Sequence, residues 1–246
     1  MAPAQPADQT ADPAGTVTAR PLLLIGGGEH AGVVAEAAVS ASDPWLVVGY
    51  TDPRADLGAL ASTRAPHLGD DATGLAGAGA APPDDRPALV LAVGGVGDPG
   101  GRRRVAESVQ ELAPWSCWAT VVHGTAWVSP SADLSDGTVV LAGAVVNAGA
   151  TVGPHGIVNS RAVVEHDVEI GAFVHLGPGA IVGGGARIGS DVSVGMGALI
   201  RDHITVGDGA TIGMGAVVVA DVPPGVTVVG SPARPLVAPA APGGRA

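Results

Sequence analysis

The sequence contains no lysine, a single cysteine and six aromatic residues (four Trp, one Tyr, one Phe) among 246. Each scarcity excludes something. Cys117 alone cannot make an intrachain disulfide and offers no cysteine cage for a metal. With so few rings, the core has to be built from Val, Leu, Ile and Ala. No unbroken apolar run reaches about 18 residues, so no membrane span is expected. The formal charge is −11, every basic residue is Arg, and the basic residues cluster only at Arg102, Arg103 and Arg104. DNA carries one negative charge per about 1.7 Å, so an acidic chain without a basic stripe is not expected to bind nucleic acid. The first twenty residues have no apolar stretch of the kind a secretory signal needs, which predicts a cytoplasmic protein. The 39 Gly and 21 Pro show no triplet period, and with 46% hydrophobic residues the chain is neither collagen-like nor wholly disordered.

Along the chain, residues 1–19 and 237–246 read as a flexible arm and a flexible tail. Residues 20–119 alternate short apolar runs with helix-like stretches. Leu22–Ile25, Leu46–Tyr50 and Leu89–Val93 are strand-like, and 119–122 reads as a fourth strand. Residues 31–41 suit a helix, as do 102–112, with Val105, Val109 and Leu112 facing inward. The stretch 70–87, rich in Gly, Ala, Pro and Asp, reads as a long loop. Strand and helix in turn argue a small parallel α/β sheet.

From residue 120 the pattern changes. Every sixth residue from Val122 to Val218 is Val, Leu or Ile, seventeen positions without a slip. The fifth residue of each hexad is small or β-branched, with Gly156 and Ile204 as departures, and the second is often Gly, expected to relieve the backbone at a bend. A period of six suits neither a helix nor a lone amphipathic strand. It suits a short strand followed by a corner, repeated: a parallel β-helix over 120–223, with one aliphatic side chain per hexad in the bore. Residues 224–246 form a C-terminal extension and tail.

The hexads resemble those of the hexapeptide-repeat acyltransferases. That resemblance implies a left-handed β-helix with three hexads per coil, a prism roughly 27 Å tall at about 4.8 Å per stacked strand. A narrower resemblance rests on three segments: Leu22-Leu23-Leu24-Ile25-Gly26-Gly27-Gly28-Glu29-His30, then Val158 to Asp167 followed by Phe173 to Ala180, and finally Val228 to Leu236. They are similar to the sialic acid O-acetyltransferase and UDP-4-amino-sugar N-acetyltransferase (bacillosamine-type) group. Glu165-His166-Asp167, with a second His nine residues after the first, carries most of that likeness.

The resemblance implies an α/β, Rossmann-like nucleotide-sugar domain over 20–119 and an acetyl-CoA-dependent enzyme. It makes His166 the general base, oriented by Asp167. It places the sugar nucleotide on Gly28, Glu29, His30, Asp52 and Asn159, and acetyl-CoA on His175, Gly184, Met196, Met214 and Arg234. It also implies a homotrimer, with acetyl-CoA between neighbouring prisms. The turn Gly26-x-Gly28-x-x-Ala31 with Asp52 has the dinucleotide form, but about 100 residues suit a nucleotide sugar better than a full dinucleotide fold. Glu29 stands where the group has Gly or Ser, and Arg161 replaces a small residue near His166; both bear on the acceptor. His155 and His203 are expected to be solvent-exposed corner residues. The γ-class carbonic anhydrases share this solenoid and hold zinc with three His, but the residue five before His203 is Ala198, so no metal is expected.

The reading is N-acetylation of an amino group on a nucleotide-activated sugar. The alternatives are O-acetylation of a sialic-acid-like or natural-product sugar hydroxyl and, in another class, a non-catalytic β-helix scaffold.

Overall fold

The computed structural model describes residues 19–54, 60, 63–95, 98 and 100–236. All of the expected arm except Ala19, and the expected tail over 237–246, lie outside the described residues.

The N-terminal part is built on three parallel strands, β1 (Arg20–Ile25), β2 (Trp45–Thr51) and β3 (Ala88–Leu91), in the order β2-β1-β3. Leu22, Leu23, Leu24 and Ile25 are all buried, because helices cover both sides of the sheet. Helix α1 (Glu29–Val39) packs Ala31, Val34, Ala35 and Ala38 on one side. Helices α2 (Asp71–Gly79) and α3 (Gly101–Leu112) share the core on the other.

Three expectations need correction here. The stretch 70–87 contains helix α2: the Asp70 side chain accepts from the Thr73 N–H at 2.8 Å and caps it. Gly74 inside that helix is required by close approach, since a Cβ there would lie 2.4 Å from Thr51. In α3 the buried face is Arg102, Ala106 and Val109, while Leu112 is 47% exposed. The fourth strand is divided: Trp118 bridges Leu89 of the N-terminal sheet, while Val121–Val122 already belongs to the solenoid.

The solenoid makes about six triangular turns, with strands stacked parallel into three faces. The first face carries Val121–Val122, Val139–Val140, Ile157–Val158, His175–Leu176, Ser193–Val194 and Thr211–Ile212. The second runs from Trp127–Val128 to Val217–Val218, and the third from Asp133–Leu134 to Thr205–Val206. The first residue of each hexad fills the bore, with Val140, Val158, Leu176, Val194 and Ile212 on one stack, each at most 1% exposed. The buried fifth residues, such as Ala144, Ala162 and Ala180, give the chain room to turn.

Backbone relief lies elsewhere than expected. The second-position glycines do not adopt a left-handed conformation. They let successive coils touch: a Cβ on Gly171 would sit 2.7 Å from the Ser190 nitrogen. The left-handed residue is the fourth. Where it is not Gly it is His155, Arg161, Asp167, Phe173, Asp191 or His203, with φ between 56° and 59°.

The N-terminal part docks on the first face and on the corner between the third and first faces. Val121, Val139 and Leu141 share its core with α1, and Phe173 packs against the α3 side. Arg103 pairs with Asp191 at 2.8 Å and lies over the Phe173 ring.

Candidate active site

His166 and Asp167 occupy the corner between the second and third faces. Asp167 is the left-handed fourth residue, and this turns its carboxylate back to the His166 Nδ1 at 2.9 Å. Glu165 faces the preceding coil and accepts from Asn147 at 3.1 Å. A carboxylate only accepts, so Nδ1 carries a proton, and in the neutral ring Nε2 presents a lone pair; the side chain is 63% exposed. The hydrogen bond to Asp167, with that carboxylate's charge, raises the His166 pKa above its ordinary value. Gly184, one coil above, leaves room for the ring: a Cβ there would lie 2.7 Å from Nε2. Beside this corner the third face carries an open groove of about 770 Å³, lined by Asp167, Glu169, Arg187 and Asp208 among others.

A second cluster lies where α1 meets the first face. His175 Nδ1 is 3.3 Å from the Gly95 carbonyl and its Nε2 is 3.1 Å from the Asn159 side-chain nitrogen. A carbonyl accepts and an amide NH₂ donates, so His175 is the neutral Nδ1–H tautomer with its lone pair toward Asn159. The His30 ring stands 6.0 Å from that of His175, and Gly94 packs against it. Burial lowers both histidine pKa values to about 4, helped for each by the Arg102 charge and for His30 also by His175, while the bond to Gly95 opposes the shift at His175. The buried His30 Nε2 has no hydrogen-bond partner among the described residues.

Gly28 and Glu29 open α1 at the edge of this cluster. Glu29 is exposed in the first helical turn, where a negative charge is favourable. Asp52 is buried, and its two oxygens take Gly27 N–H, Arg54 N–H and two Arg54 guanidinium nitrogens at 2.9–3.2 Å. Burial opposes its charge, yet the bonds from Arg54 and Gly27 hold its carboxyl below the usual range. With that acceptor capacity filled, Asp52 braces the glycine turn and aims Arg54, whose guanidinium stands 3.7 Å from where a Gly28 Cβ would be.

The residues assigned to acetyl-CoA by resemblance are dispersed. Met196 and Met214, 53% and 71% exposed, stack at the corner between the first and second faces. Above them, Ala233 N–H bonds the Val217 carbonyl and places the exposed Arg234 at the end of the prism. Gly184 belongs with His166, and His175 with His30 and Asn159.

His155 is not a solvent-exposed corner residue. It is 7% exposed, stacked on Phe173 and edge-on to Trp118, because the N-terminal part covers its corner; His203 is exposed. Among the described residues no group of three or more His, Cys, Asp and Glu is arranged to hold a metal. No helix among them is long and apolar enough to cross a membrane. Sequence reasoning missed Arg54, Gly94, Gly95 and Arg102. The Arg102–Arg104 run was visible, but nothing in one dimension says which of the three is buried.

The bacterial transferase hexapeptide (six repeats) family matches residues 185–220. Comparison with curated proteins returns no match. Among solved structures, the acetyltransferase domain of PglB from Neisseria gonorrhoeae FA1090, in complex with acetyl coenzyme A, is 37% identical with a TM-score of 0.76, over 89% of this chain and 100% of that one. PerB from Caulobacter crescentus, in complex with CoA and GDP-perosamine, is 32% identical with a TM-score of 0.74, over 88% and 97%. WeeI from Acinetobacter baumannii AYE shares the fold at 24% identity and a TM-score of 0.69. On this identity and coverage, over a left-handed β-helix with an α/β domain before it, the chain belongs to the hexapeptide-repeat acyltransferases of the sialic acid O-acetyltransferase and UDP-4-amino-sugar N-acetyltransferase (bacillosamine-type) group.

Proposed function

We propose that this protein transfers an acetyl group from acetyl-CoA to the amino group of a nucleotide-activated sugar, with His166 as general base. The observation that carries the reading is the His166–Asp167 pair: a ring with Nδ1 bound to a carboxylate and Nε2 free at an exposed corner. The likeness to structures that hold acetyl-CoA, or CoA with GDP-perosamine, supports the substrates.

In this reading the amine nitrogen attacks the thioester carbonyl carbon. A C–N bond forms and the C–S bond breaks. His166 Nε2 takes the proton from the nitrogen and returns it to the departing CoA sulfur. Asp167 holds the ring in the required tautomer and stabilises the imidazolium between the two transfers. Holding amine and thioester together supplies much of the rate, since effective molarities reach about 10⁵ M or more.

The acceptor meets His30 and Asn159, with Gly28, Glu29 and the Asp52-braced Arg54 toward the nucleotide; His175, which the resemblance gives to acetyl-CoA, is read here with the acceptor side because its Nε2 lies against the Asn159 side chain. Acetyl-CoA lies along the methionine corner, with Met196 and Met214 as apolar contacts, Gly184 giving close approach near His166 and Arg234 offered to a phosphate. In one chain the His166 corner and the Asn159 corner are separated by the second face. That face is apolar and is not covered by the described residues, with Trp127, Ile181 and Leu199 between 39% and 59% exposed and Val145, Val163 and Val217 partly exposed. A homotrimer would cover it and bring the two corners of neighbouring copies together.

The test is release of CoA thiol in the presence of a panel of nucleotide-linked amino sugars. Release that depends on the amino group supports the reading. Acetylation confined to hydroxyl sugars, or no sugar-dependent release with any member, would sink it.

A further inference from the structure

Among the described residues, the solenoid ladder gives the carbonyl of a hexad's fourth residue no main-chain donor. Main-chain donors reach the carbonyls of the first, third and fifth residues of most hexads and of the second residue in many, as in Gly171 to Ile188, Phe173 to Pro154, His175 to Val192 and Ala162 to Asn159. Among the described residues no main-chain donor reaches the carbonyl of His155 or Phe173, both fourth residues. At the other two corners the fourth residues Arg161 and Asp167 are exposed. At the corner between the third and first faces the N-terminal part covers that site, and a buried carbonyl needs a donor.

Arg102, 5% exposed, supplies it. Its Nη2 donates to the His155 carbonyl at 2.6 Å, its Nη1 to the Phe173 carbonyl at 3.3 Å and its Nε to the Val93 carbonyl at 3.1 Å. His155 and Phe173 occupy the same place in consecutive coils, so the planar guanidinium fork spans the coil repeat. Val93 begins the segment in which Gly94 packs on His30 and Gly95 accepts from His175. Burial brings the Arg102 pKa down to about 10, with the Asp191 charge opposing that shift, which leaves the group protonated at neutral pH.

We propose that Arg102 is a positioning residue: by tying the Val93 carbonyl to two consecutive solenoid corners, it holds the Val93–Gly95 segment where it sets the His175 tautomer and seats His30. Its importance for turnover rests on the reading of His30, His175 and Asn159 as the acceptor side of the site. The tautomer does not rest on that reading.

The experiment compares the full-length protein with Arg102→Lys, Arg102→Ala and, as a control for weaker docking alone, Arg103→Gln. Nitrogen-15 NMR of labelled histidines reports the tautomer; calorimetry with CoA and steady-state kinetics with GDP-perosamine report the two substrate sides. We expect the single Nδ1–H signature of His175 in the wild type and in Arg103→Gln, and its loss in both Arg102 variants. Ethylguanidinium should restore it in Arg102→Ala. The kcat/KM for the sugar nucleotide should fall on the order of 10²-fold while CoA affinity is kept.

A His175 that keeps its single tautomer in Arg102→Ala overturns the inference whatever the kinetics. Parallel loss of CoA affinity also overturns it, because that marks general loss of structure. If the acceptor reading alone is wrong, the tautomer is lost and CoA binding kept, while even the wild type turns over no sugar nucleotide. Should the Arg102 variants not fold, exchange of the Arg102 Nε–H in the wild type decides: protection comparable to core amides supports the tie, and exchange at the rate of an exposed arginine refutes it.

Discussion

Asp167 follows His166 in sequence, and its carboxylate lies 2.9 Å from the His166 Nδ1 because Asp167 holds a φ of 57°. Neighbouring side chains on an extended chain point to opposite sides. The left-handed conformation of Asp167 at this corner brings the two to the same side. A non-glycine residue there costs roughly 1–2 kcal/mol, and the pairing is what that strain accompanies.

His166→Ala should lower kcat by about 10²–10⁴-fold, the usual worth of a general base, and leave CoA affinity nearly unchanged. The pH dependence carries the sign. The Asp167 bond raises the His166 pKa, so the neutral, basic form dominates only above that raised value and kcat/KM should climb with pH through it. Asp167→Asn removes the cause, and the rising limb should move to lower pH with a smaller maximum. A limb that stays in place, or full activity in His166→Ala, would remove His166 from the chemistry.

Two adjacent glycines separate site from scaffold. A Cβ on Gly184 meets the His166 ring at 2.7 Å, the end of an exposed side chain that can swing away. Gly184→Ala should therefore cut kcat with little change in melting temperature. A Cβ on Gly183 meets the Asp202 nitrogen at 2.5 Å, backbone that cannot yield. Gly183→Ala should cost stability, roughly 1–3 kcal/mol. Equal loss of stability in both variants would show that the room above His166 is structural.

Light scattering should report a trimer of the 23.8 kDa chain. Leu199→Asp, on the apolar second face, should reduce it to monomers and abolish turnover while the α/β part stays folded. Mixing subunits is a sharper check. Inactive His166→Ala and inactive His30→Ala chains, unfolded and refolded together, should regain activity if the site spans two copies. Active monomers would rule the shared site out.

Three histidines at or near the docking surface have pKa values lowered to about 4: His30, His155 and His175. For His155 the first cause is burial, then the Arg102 and Arg103 charges. An unfolded histidine titrates near 6.5, so between about 6.5 and 4 the unfolded chain binds more protons. Stability should be fully present above pH 6.5 and fall as the pH drops through that window. The slope is of order 1.4 kcal/mol per pH unit for each group. Urea unfolding at a series of pH values measures it, and His155→Phe should flatten it by one group's share. Stability unchanged between pH 7 and 5 would contradict the buried, neutral state of these rings.

The six-residue aliphatic phase was enough to read the solenoid, its bore and its length, because every coil repeats one local environment and the first residue of each hexad meets the same need. The motif around His166 was legible for a similar reason: the corner that shapes it is local. Other features depend on approaches between distant segments that no period records. Leu112 is exposed and Arg102 buried because α3 turns its Arg102–Ala106–Val109 face to the sheet and the solenoid. His155 is buried because Trp118 and Phe173 close over it, and Asp52 is occupied because the glycine turn and Arg54 converge on it. Which residues fill the bore follows from the repeat alone, since a hydrophobic repeat of fixed period has one way to be buried. Which corner is covered does not follow from the repeat, because that depends on where an α/β domain lands on a prism whose three corners are locally alike. The His155 and Phe173 carbonyls at the covered corner needed a donor, and the buried guanidinium of Arg102 meets them there.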